Sequence, residues 1–99
     1  MALSVTVRHS LGREVATQRI KQLLPQLKQQ HAEQMSDAWE EWSGSSARFG
    51  FRTSGFNISG TLAVTDNSVT ISGSLPFLAS MFSGQIEDAI RSEATKLLT

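Results

Sequence analysis

The chain has no cysteine, only two prolines and two histidines, and no excess of charge of either sign: nine Lys and Arg balance nine Asp and Glu for a formal net charge of zero. Without cysteine there is no disulfide framework, no thiolate metal site and no cysteine nucleophile, which suits a reducing compartment. A balanced charge supplies no global field toward nucleic acid or anionic lipid. No run approaches the roughly 18 apolar residues of a membrane span, and the opening MALSVTVRHS lacks a basic region followed by an apolar one. These absences predict a cytoplasmic protein with no membrane span. At 99 residues there is room for one compact domain with one core, expected over 1–99.

What is present is a change of hydrophobic period along the chain. Leu3, Val5 and Val7 alternate with Ser4, Thr6 and Arg8, predicting a half-buried strand over 2–8. Ser10 then caps a helix whose apolar positions Val15, Ala16, Ile20, Leu23, Leu24 and Leu27 fall on one face. Pro25 removes a backbone donor and predicts a kink or restart near Leu24. Leu27, His31, Met35, Ala38 or Trp39, and Trp42 keep a helical spacing, whereas in a strand Trp39 and Trp42 face opposite sides; the helix is expected to end near Ser36, with a short strand over 38–43. From Ala47 the period is two through three runs separated by TSG and TDNS, an antiparallel meander with one apolar and one polar face. Pro76 opens a last helix with a stripe of Leu78, Met81, Phe82, Ile86, Ala89, Ile90 and Leu97. The expected fold is α+β, a two-layer sandwich of order β-α-β-β-β-β-α with both helices on one face of the sheet, like a shortened helix-grip fold.

RFGFR, residues 48–52, has the alternate aromatics of an RNA-stacking strand. Such a strand displays its aromatics and buries the residues between them, and here those residues are Arg48, Gly50 and Arg52. Phe49 and Phe51 are therefore expected to point inward, and no nucleic-acid partner is expected. The two histidines, His9 and His31, are too far apart for a metal motif, and no serine lies in a G-x-S-x-G elbow. Glu40 and Glu41, like Glu87 and Asp88, are sequence neighbours that point in different directions. No catalytic residue, cofactor site or metal site is expected. The segment LPFLASMF, residues 75–82, exceeds what one core face absorbs. Phe77, Leu78, Met81 and Phe82 are its candidate apolar contacts, for a surface, a ligand or a partner. His9 and Trp42 are the candidate polar groups at a pocket mouth.

VTVRHSLGREVA at the start, WSG at Trp42 to Gly44, the aromatic strand at Phe49 and Phe51, GFNISGTLAV and SLPFLASMFSGQIEDAI together resemble the polyhydroxyalkanoic acid system family of small bacterial proteins over nearly the whole chain. His9, Trp42 and Gly60 match its recurring positions, and the same three residues equally fit fold requirements: a helix entry, a core indole and a tight backbone approach. The resemblance implies association with polyhydroxyalkanoate storage, where some relatives coat the granule, and it carries over no catalytic residues. Three readings follow, the least favoured being a hydrolase or other enzyme of the pathway, which would need polar groups from His9, Arg8 and the Trp39 to Trp42 region to converge in a cleft; the other two are non-catalytic. In the first, the chain is a non-catalytic accessory protein docking its apolar helix start on the granule or on granule proteins, strengthened by homo-oligomerisation. In the second, it is a small carrier of an apolar or hydroxyacyl ligand held between the sheet and the C-terminal helix.

Overall fold

The computed structural model describes residues 2–53, 55–74 and 83–99. Five strands, β1 (Ala2–Arg8), β2 (Met35–Ser43), β3 (Ser46–Thr53), β4 (Phe56–Val64) and β5 (Ser68–Ser74), form one antiparallel sheet in the order β1-β5-β4-β3-β2. Helices α1 (Arg13–Ile20) and α2 (Leu23–Gln30) connect β1 to β2, and α3 (Ser83–Leu98) closes the described chain. The α+β expectation holds. The first helix is two helices, with the restart at Leu23, so that Pro25 sits in the first turn of α2, where its missing donor costs little.

The sheet has one apolar face because its strands alternate. Leu3, Val5 and Val7 of β1, Phe49 and Phe51 of β3, Ile58, Leu62 and Val64 of β4, and Val69 and Ile71 of β5 are all buried in a single core with Ala16, Ile20, Leu23, Leu27, Ile90, Ala94 and Leu98 from the helices. Phe49 and Phe51 stack with ring centroids 6.5 Å apart, inside the protein and away from any base. Arg48 and Arg52 are exposed on the opposite face, where Arg48 pairs with Glu41 at 2.6 Å.

Three local expectations are corrected. The first helix begins at Arg13 behind Gly12, whose φ of 80° is left-handed, and no side chain, Ser10 included, caps it. Val15 is exposed, and Thr17 is buried in its place, its hydroxyl donating to the Arg13 carbonyl at 2.7 Å. The second helix ends at Gln30, not near Ser36, and β2 starts at Met35. A β-bulge between Ser36 and Trp39, with Asp37 at φ 53°, explains the misleading pattern. Its additional residue spaces the partly buried Met35, Ala38 and Trp42 three and then four apart, which imitates a helix within a strand.

Both sheet edges are closed to further pairing. β2 carries the bulge and turns Glu40 to the inner face opposite Phe49, two devices that oppose strand addition. β1 is regular, yet Glu87 of α3 accepts from the Ser4 amide at 3.2 Å and Arg91 donates to the Thr6 carbonyl at 3.2 Å. These two side chains stand where a neighbouring strand would.

A candidate apolar binding cleft

A cleft of about 310 Å³ opens at one end of the sandwich, where α2 ends, β2 begins, the β3–β4 hairpin turns and α3 starts. Leu27, Met35, Phe51, Phe56, Ile86 and Ile90 supply its apolar walls, and His31, Gln34, Thr53 and Gln85 its polar groups. The walls run from the covered core outward to the open end of the sandwich. Leu27, Phe51 and Ile90 are buried, whereas Met35, Phe56 and Ile86 are half-covered. The volume lies at the lower end of the roughly 300–1,000 Å³ range of small-molecule sites. Deeper in, between Leu23, Phe49, Leu62 and Ile71, the free space falls to about 30 Å³, the room of a single water. Ligand-sized space in this part of the core is therefore at its open end.

The sequence-selected residues occupy different places. Phe77, Leu78, Met81 and Phe82 lie outside the described residues. His9 follows β1 and Trp42 belongs to β2, the opposite edges of the sheet, so they do not meet in one site. His9 is 8% exposed. Its Nδ1 accepts from the Leu11 amide at 3.1 Å, so the ring acts on the backbone as an acceptor. Nε2 is buried with no partner among the described residues. His9 is fixed at the strand-to-helix turn, its own amide donating to the Asn67 carbonyl at 3.0 Å.

Trp42 packs its ring against the core while Lys21 places Nζ 5.4 Å from the ring centroid, a contact of about 0.5–1 kcal/mol at an exposed site. It borders an open surface depression of about 440 Å³ with Glu41, Arg48 and Thr61. Among the described residues no group of three or more His, Asp or Glu comes together as a metal site. Glu93 went unnoticed in the sequence because a carboxylate on a helix is normally solvated. It is 6% exposed and accepts from the Gln30 side-chain amide at 3.0 Å, joining α2 to α3. Among the described residues no helix is long and apolar enough to cross a membrane.

The geometry defines a small α+β sandwich with a filled interior and an apolar cleft at one end. The family is given by the sequence: residues 3–98 match the family described as "Putative polyhydroxyalkanoic acid system protein". The chain belongs to this polyhydroxyalkanoic acid system family. No curated protein matches it. Among solved structures, the quaternary ammonium Rieske monooxygenase CntA in complex with L-carnitine is similar at 12% identity and a TM-score of 0.45, over 96% of this chain and 36% of that one. The chain thus spans about a third of that enzyme's length, and the likeness is too slight to carry fold or function across.

Proposed function

We propose that this chain is a non-catalytic, cytoplasmic accessory protein of polyhydroxyalkanoate storage that meets the polyester granule, or the proteins on it, through the apolar end of its sandwich. The observation that carries the reading is the placement of the cleft. It opens at the start of α3, immediately after the apolar sequence run that holds Phe77, Leu78, Met81 and Phe82. Each large apolar side chain withdrawn from water contributes roughly 1.5–3 kcal/mol, so a few such groups give weak, reversible attachment. Homo-oligomerisation would multiply it on a particle surface. The experiment is co-sedimentation of the purified protein with washed granules, against phospholipid vesicles and polystyrene. Selective pelleting with polyester is expected, and Phe77→Ser with Phe82→Ser is expected to abolish it with an unchanged circular dichroism spectrum. Undiminished pelleting of that folded variant would place the contact elsewhere.

The cleft volume of about 310 Å³ also favours a second reading, in which the same end of the molecule carries a single hydroxyacyl chain. Saturable stoichiometric binding of a soluble acyl ligand without pelleting on granules would select it.

A further inference from the structure

We propose that the cleft accepts hydroxyacyl chains only in uncharged form, as esters or segments of polyester, and rejects the free hydroxy acid. The choice of hydroxyacyl chains rests on the accessory-protein reading above; the selection by charge rests on the lining. None of the described residues around the cleft is Asp, Glu, Lys or Arg. Arg52 lies between Phe51 and Thr53 on β3 and is exposed on the other face of the sheet.

A carboxylate lowered onto Phe51 and Phe56 would lose its water with no cation to replace it. An uncompensated buried charge costs several kcal/mol, whereas an ester carbonyl or a hydroxyl costs far less and is repaid by a single hydrogen bond. Gln34, Thr53 and Gln85 supply amide and hydroxyl groups for that bond around the apolar walls. An apolar floor with neutral donors around it matches a chain that alternates hydrocarbon with ester or hydroxyl oxygen.

His31 is the one titratable side chain in the described lining, so the test includes His31→Gln to remove any charge it could lend. Calorimetric titration of the full chain compares methyl 3-hydroxyoctanoate with the 3-hydroxyoctanoate anion at neutral pH, in wild type and His31→Gln. The expected result is binding of the ester at least about tenfold tighter than the acid in both proteins. Equal or tighter binding of the acid, or no binding of the ester, overturns the inference. Pelleting on granules without ester binding would overturn it while leaving the accessory reading standing. Ester binding without pelleting would do the reverse.

Discussion

Gly60→Ala is expected to cost about 3 kcal/mol or more, a large part of the roughly 5–15 kcal/mol that holds a domain of this size together. Gly60 lies on β4 directly opposite Gly73 on β5, in the middle of the sheet. A methyl group built on Gly60 would fall inside the van der Waals shell of the Ser72 carbonyl oxygen and 2.8 Å from the Gly73 Cα. Those atoms belong to the partner strand's backbone. They can retreat only by opening β4 from β5, the pairing on which Leu62, Ile71, Val64 and Val69 are brought together. Thermal unfolding followed by circular dichroism should show Tm lower by about 15 °C or more. Gly50→Ala is the control. A methyl there meets the Trp39 indole at 2.5 Å, but Trp39 is 47% exposed and its ring can swing outward, so a loss below about 1 kcal/mol is expected. Equal losses at the two sites would mean that the strand approach at Gly60 is not as close as described.

The second large effect concerns function. Met35→Gln with Ile86→Gln is expected to reduce attachment to polyester by about a hundredfold, while the fold survives. Both side chains border the cleft and both are half-covered, so their polar replacements can reach water without being stranded in the core. Glutamine is chosen because it removes apolar contact without adding charge, which separates the hydrophobic contribution from repulsion. Two apolar contacts at roughly 1.5 kcal/mol each give that hundredfold loss. The measurement is the granule concentration needed to pellet half of the protein, with near-unchanged Tm as the check on folding. Retained attachment in a folded double variant would remove the cleft from the docking surface.

Much of the fold was legible because period-two alternation is hard to imitate. β1 runs from Ala2 to Arg8 as its alternation predicts, and RFGFR resolves to buried phenylalanines because two arginines cannot be core. The helix restart at Leu23 follows from Pro25, and the tight approach at Gly60 was legible only where that glycine matches a recurring position of the family. β2 was less legible because one additional residue at the bulge shifted the phase of everything before it. The cleft was not legible at all. Its walls come from α2, β2, β3, β4 and α3, and each residue taken singly belongs to a core stripe. Only the lengths of the elements, and where one layer stops short of the other, decide that Phe56 and Ile86 border open space. Nothing in the spacing of Glu87 and Arg91 announces that they cover the edge of β1.

The most direct test of the central claim is amide hydrogen exchange of the intact protein with and without washed polyhydroxyalkanoate granules. The account predicts added protection at the end of β3 and the start of β4, around 51–58, and in the first turns of α3, around 85–90, with the open face bearing Arg48, Thr61 and Ser72 unchanged. Protection centred on that open face, or none in a protein that pellets with granules, would contradict it.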